Sequence, residues 1–211
     1  MHHKHLQTRL DSGIATLGLD LPREAPQRLL DYLQLLQRWN GAYNLTAVRD
    51  PEQMVTRHLL DSLSVVPYVR GTRLADLGSG AGLPGIVLAI AMPDLGVTLV
   101  DTNGKKARFQ REVVRALKLD NVRVVHGRVE DIDGDFDCIT ARAFASLPDM
   151  LAWGGHLLAG DGRWLAMKGR RPDDELNALP PDFRLLEEHP LVVPGLDAER
   201  HLLVLARTGA A

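Results

Sequence analysis

The stretch Leu74-Ala75-Asp76-Leu77-Gly78-Ser79-Gly80-Ala81-Gly82-Leu83-Pro84-Gly85 constrains this chain more than any other. It opens as a short apolar strand, passes through four glycines, and continues into the apolar helix Ile86-Val87-Leu88-Ala89-Ile90-Ala91. Glycines serve where a backbone turns sharply from strand to helix and where a ligand lies against the main chain. The start of such a helix leaves unpaired N–H groups facing whatever fills the turn. Gly80-x-Gly82-x-x-Gly85 also satisfies the dinucleotide pattern, a weak match by itself.

The acids around the turn point to a different ligand. Asp76 stands just before the first glycine, where a pyrophosphate is repelled and a cationic amino-acid group is attracted. Asp101 closes the next strand, Val97-Thr98-Leu99-Val100-Asp101, where a carboxylate can accept from both hydroxyls of a ribose. The third strand ends in Val125-His126-Gly127-Arg128-Val129-Glu130-Asp131. Ligands of an open sheet sit beyond the carboxyl ends of its strands, so this loop borders the glycine turn. Backbone at Val129 and the Glu130 carboxylate suit an adenine amino group there; an acidic surface loop is the alternative. Acid, glycines and second acid together predict S-adenosylmethionine (SAM), held by Asp76, Gly80, Asp101, Val129 and Glu130.

The rest of the chain fits that centre. Leu6, Leu10, Ile14 and Leu17 recur at helical spacing with Gly18 as a stop, and Leu29, Leu30, Leu33, Leu36 and Trp39 form a second stripe ending at Gly41. Asp50-Pro51 opens a third helix, with Gln53 in the capping-box position. From Arg73 strands alternate with helices, at Leu74–Leu77, Val97–Val100, Val122–Val125, Phe136–Ala141, Trp164–Met167, Phe183–Leu186 and Leu202–Ala206. The last connection, Glu187–Leu196, holds two prolines and no helical pattern, which predicts an antiparallel final pair. The expected architecture is α/β: a Rossmann-like class I SAM-dependent methyltransferase fold with a seven-stranded, mostly parallel sheet, an antiparallel last strand and an N-terminal helical extension. Residues 1–70 form a helical subdomain and 71–211 the SAM-binding methyltransferase domain. No apolar run approaches the ~18 residues of a membrane span. With Cys138 the single cysteine and Met1-His2-His3-Lys4-His5 no apolar leader, a cytoplasmic monomer is expected. The histidines are too scattered for a zinc motif, so no metal is expected, and Arg57, His58 and His201 read as a polar surface.

Charge is segregated on a chain of net charge −2. Residues 104–128 hold eight basic residues against two acidic ones, 142–171 five against two, and 172–211 three against eight. Basic faces on a near-neutral protein suit a selective polyanion binder, with solvated helix faces as the alternative. Lys105, Lys106 and Arg108 follow directly on Asp101 and are the first candidates for RNA phosphates.

The fourth strand runs Asp137-Cys138-Ile139-Thr140-Ala141-Arg142-Ala143-Phe144. Arg142 at its carboxyl end can pair with the carboxylate of the cofactor or with a phosphate, or form a structural ion pair. Cys138 is mid-strand, not placed as the nucleophile that pyrimidine C5 methylation needs, and Asn/Asp-Pro-Pro-aromatic, usual in exocyclic-amine methylation, is absent. A ring nitrogen such as guanine N7, an acceptor with no proton to remove, fits a site lacking an obvious base. Trp39 and Tyr43, four residues apart, either stack a base or belong to the core.

These motifs together resemble one family, the bacterial 16S ribosomal RNA guanine-N7 methyltransferase G, also called glucose-inhibited division protein B. Its marks here are Trp39-Asn40…Tyr43-Asn44-Leu45-Thr46-Ala47, Arg57-His58…Asp61-Ser62, the stretch from Asp76 to Gly85, Asp101…Lys105-Lys106, Arg128-Val129-Glu130, Arg142-Ala143, Lys168-Gly169 and Arg200-His201. The resemblance implies methylation of one guanine of 16S rRNA, free or in the small ribosomal subunit. It adds Gly78 and Leu83 to the SAM contacts, makes Arg142 both a SAM contact and the catalytic candidate, and suggests Lys168, Arg200 and His201 on the RNA side. Ala141 departs from the family, which carries a serine before the arginine. A small-molecule SAM-dependent methyltransferase, or a non-catalytic RNA-binding protein on the same fold, are the rival readings.

Overall fold

A computed structural model describes residues 2–142 and 145–209; Ala143 and Phe144, which close the Arg142 motif, lie outside the described residues. Seven strands, β1 (Arg73–Leu77), β2 (Gly96–Asp101), β3 (Val122–His126), β4 (Phe136–Arg142), β5 (Leu158–Lys168), β6 (Phe183–Pro190) and β7 (His201–Arg207), build one sheet. Their order is β3-β2-β1-β4-β5-β7-β6. Strands β1 to β5 pair in parallel, whereas β7 runs antiparallel to both β5 and β6. Parallel neighbours need a crossover, and a helix lies in most of the connections. The β6–β7 connection has no helix, so the chain turns back on itself. This is the expected mixed sheet.

Two apolar clusters sandwich it. On one face α1 (His2–Thr16), α2 (Ala25–Tyr43), α5 (Gly85–Ala91) and α6 (Gly104–Leu117) contribute Leu6, Leu29, Leu88 and Phe109, packed with Leu74, Leu99 and Cys138 of the sheet. On the other, α7 (Leu147–Gly154) and α8 (Asp173–Asn177) lie over Ala75, Leu77, Ile139 and Trp164. Each fully buried leucine or phenylalanine contributes roughly 1.5–3 kcal/mol, so the N-terminal helices, which share the first cluster with the sheet, are integral to its stability. Tyr32 of α2 makes the tie specific: it is fully buried, and its hydroxyl donates to the Ala81 carbonyl at 2.8 Å, holding the glycine turn.

Three local expectations are corrected. Helix α2 passes through Gly41 and ends at Asn44, at φ 51°, whose N–H donates to the Asn40 carbonyl. Asparagine tolerates the left-handed conformation, and the last turn is held by Trp39 stacked on Tyr43 at 5.1 Å and packed on Phe109. That pair therefore belongs to the core. Asp50 caps α3 (Pro51–Met54) as expected, accepting from Gln53 N–H at 3.0 Å, but the Gln53 side chain turns forward to Arg57 Nε instead of closing the box. The helix then widens into a π-helical segment, Val55–Leu60, before α4 (Asp61–Leu63). Among the described residues no helix is long and apolar enough to cross a membrane, and no cluster of His, Cys, Asp and Glu is disposed to hold a metal ion.

Candidate active site

The strand order reverses between β1 and β4, and the turn after β1 opens there. Gly78, Gly80 and Gly82 adopt φ of 65°, 59° and 89°, values that side chains rarely tolerate. The turn is braced from behind: Ser79 N–H donates to Val100 O at 3.0 Å, and Gln110 Nε2 donates to both Ser79 Oγ and Gly80 O at 2.8 Å. Asp101 links the turn to α6. Its Oδ2 accepts from Gly80 N–H and its Oδ1 from Asn103 N–H, each at 2.8 Å.

A cleft of about 590 Å³ opens in front, in the size range of small-molecule sites. Gly78, Val100, Asp101 and Thr102 form its floor with Lys106 beside them, while Gly127, Arg128, Val129, Glu130 and Trp153 close the other side. The structure thus brings Gly78, Asp101, Val129 and Glu130 together. Gly80 and Leu83 do not line it: the Gly80 N–H is spent on Asp101, and Leu83 is buried in the core. Thr102, Arg128 and Trp153 were missed. The first two flank predicted residues, but only the packing of α7 brings Trp153 across.

Asp76 lies behind the turn with no solvent exposure. Its Oδ2 accepts from Gly85 N–H at 2.8 Å, while Oδ1 has no hydrogen-bond partner. Burial pushes its pKa up to about 7, against the Gly85 N–H and the charge of Arg142, which pull it down.

A second cavity, about 370 Å³, sits at the ends of β4 and β5. Arg142, Lys168 and Arg200 line it around Asp61. Arg142 Nη1 donates to Asp61 Oδ2 at 3.1 Å, and Arg200 Nε donates to Asp61 Oδ1 at 3.0 Å. Lys168 Nζ donates to Ala145 O and to Glu175. His201 opposes Lys168 across the β5–β7 register, with Nδ1 3.5 Å from Glu188. Lys105 and Arg108 are exposed on α6, away from the cleft lining, whereas Lys106 lines it.

His58 corrects the reading of a polar surface. It is buried, with Nε2 2.9 Å from Thr46 Oγ1. Burial, reinforced by the charge of Arg142, lowers its pKa to about 4, so the ring is neutral at pH 7. Cys138 is buried in mid-strand and its thiol is pushed up to about 12 by burial, which makes it core.

Solved methyltransferases share the fold at low identity. A TehB-like SAM-dependent methyltransferase from Corynebacterium glutamicum matches 85% of this chain and 99% of its own at a TM-score of 0.57 and 18% identity. TYW2 from M. jannaschii, solved in complex with AdoMet, matches 71% and 76% at a TM-score of 0.55 and 14% identity. Sequence relatives are much nearer. The ribosomal RNA small subunit methyltransferase G of Chromohalobacter salexigens is 58% identical over 202 residues, 95% of this chain and 97% of the relative. That of Pseudomonas syringae pv. syringae is 55% identical over 207 residues, covering 97% and 96%. The model of the family described as rRNA small subunit methyltransferase G matches residues 25–203. This chain belongs to the rRNA small subunit methyltransferase G family, and it is a SAM-dependent methyltransferase.

Proposed function

We propose that the enzyme methylates N7 of one guanine in small-subunit rRNA, in the cytoplasm and as a monomer, with SAM held in the larger cleft. The observation that carries this is the convergence of the glycine turn, Asp101 and the Val129–Glu130 loop on that cleft, with the Arg142 cavity at the next strand end. The donor set fits SAM. Asp101 retains lone pairs for ribose hydroxyls and Glu130 offers a carboxylate to an amino group, whereas Asp76, expected at the cationic amino group, is sealed behind the turn and braces Gly85 instead. SAM supplies an electrophilic methyl group on a sulfonium.

The protein's task is then orientation. Guanine N7 carries a lone pair in the base plane and no proton, so no general base is required. Arg142, Lys168 and Arg200 present cations to phosphate or to a carboxylate at the strand ends, and an arginine kept off N7 avoids opposing the positive charge of the product. The buried, protonated Cys138 supports this over C5 chemistry, which needs a thiolate. Labelled methyl transfer into rRNA from a strain lacking the gene, followed by borohydride–aniline cleavage, tests the assignment. Cleavage at the labelled nucleotide is expected; a labelled nucleotide that resists it overturns N7.

Two further outcomes are expected. Asp101→Ala removes the ribose acceptor and orphans the N–H groups of Gly80 and Asn103, which weakens SAM binding by about 1–3 kcal/mol. Unchanged calorimetric affinity in a folded variant removes Asp101 from the contacts. Lys105→Ala with Lys106→Ala flattens the log–log salt dependence of RNA binding by about one per lost phosphate contact. An unaltered slope returns both lysines to a solvated face, and a salt-insensitive methyl transfer favours a small-molecule substrate.

A further inference from the structure

The helix carrying Arg57 and Asp61 changes pitch where it meets the end of β4. Within the π-helical segment the Asp61 N–H donates to the carbonyls of Thr56 and His58. Its α-helical partner, the Arg57 carbonyl, instead accepts from Arg142 Nη1 at 3.1 Å. Four residues on, the Asp61 carboxylate takes the same Nη1 on one oxygen and Arg200 Nε on the other. The Asp61 side chain is 2% exposed and each arginine 23%. A buried carboxylate between two arginines is a costly way to gain stability, and often no better than apolar packing. It is an effective way to fix a guanidinium in direction. Both contacts to Arg142 fall on Nη1, so they orient the planar fork without consuming its other nitrogens.

We propose that Asp61 is a positioning residue for methyl transfer. It acts through Arg142, whose guanidinium the widened helical turn and the Asp61 carboxylate fix over the second cavity, where it takes a phosphate or a carboxylate, and Arg200 locks the Asp61 carboxylate in place. The inference rests on Arg142 serving the reaction, so the two are tested apart.

The experiment is a double-mutant cycle of Asp61→Asn and Arg142→Met, read by single-turnover methyl transfer into unmodified rRNA. Arg142→Met alone should lower the rate at least 100-fold; an unchanged rate removes Arg142, and with it this role of Asp61. Asp61→Asn alone should lower it at least 20-fold, and should lower it less than twofold further when Arg142 is already methionine. A folded Asp61→Asn at full rate, or effects that multiply, overturns the proposal. A readout independent of activity is the Arg142 side-chain NMR signal in ¹⁵N-labelled protein. Separate Nη signals, expected from hindered rotation, should merge in Asp61→Asn; signals that stay separate also overturn it. Should Asp61→Asn not fold, the charge-balanced pair Asp61→Asn with Arg200→Met replaces it. That pair should be at least tenfold slower than Arg200→Met alone, and equal rates would refute the role.

Discussion

Replacing Gly85 with alanine is expected to cost about 1–3 kcal/mol of stability, the usual range for overpacking a filled core, and to weaken SAM binding at least tenfold. Gly85 is the first residue of α5, and its φ needs no glycine, so the effect is purely one of space. A Cβ there would lie 2.4 Å from Leu99 Cδ2, 2.7 Å from Asp76 Oδ2 and 3.0 Å from Asp76 Cβ. Asp76 and Leu99 are register partners on adjacent central strands, and both are fully buried. The methyl group therefore presses on two neighbouring side chains of strands that are flanked by further strands on both sides. Relief requires α5 to move outward, which breaks the Gly85 N–H to Asp76 bond and drags the glycine turn with it. Urea denaturation and calorimetric SAM titration check both parts. Wild-type stability in the variant would show that this helix start is not held by packing.

The second large effect is a pair of opposed pH dependences. Asp76 is raised from 3.8 to about 7, so between those values the folded state holds a proton that the unfolded chain has lost. Stability from this group is complete at low pH and declines as pH rises toward 7. His58 is lowered from 6.5 to about 4, so the unfolded chain takes up a proton that the folded state refuses. Its contribution is complete above pH 6.5 and is lost as pH falls toward 4. At about 1.4 kcal/mol per pKa unit the Asp76 contribution is at most about 4.5 kcal/mol and that of His58 about 3.5 kcal/mol, and the two nearly cancel between pH 4 and 6.5. Asp76→Asn keeps the shape and an acceptor for Gly85 while removing one of them. Relative to wild type it should become more stable by about 3 kcal/mol on going from pH 4 to 7. His58→Gln should do the reverse, losing about 3 kcal/mol relative to wild type between pH 4 and 6.5. Unfolding free energies across that range decide it; parallel curves for wild type and both variants would remove the two groups from the balance.

Both pH effects reside in polar groups that the sheet and the N-terminal helices bury together, and such groups divide the legible from the illegible here. The seven strands, the glycine turn, Asp101 and the Val129–Glu130 loop were readable because each is encoded within a few consecutive residues. Apolar runs make strands, glycines permit the turn, and parallel winding brings the ends of β1 to β5 to the same edge. Lys106 was legible as a cation just after β2, but its place in the lining of the cofactor cleft, where an RNA contact is expected from the sequence, came from the fold. The stop of α2 at Asn44 rather than Gly41 was already less accessible, since it depends on Trp39, stacked on Tyr43, packing against Phe109 from a distant helix. The second cavity was beyond reach. Asp61 meets Arg142 across 81 residues of chain and Arg200 across 139, and no periodicity links positions so far apart. Likewise, nothing near His58 announces that it is buried, or that the helix around it widens. Local sequence decides which backbone conformation each segment prefers, because those energies arise between neighbours along the chain. Which polar side chains lose their water, and which partners replace it, is decided by what the finished fold packs against them.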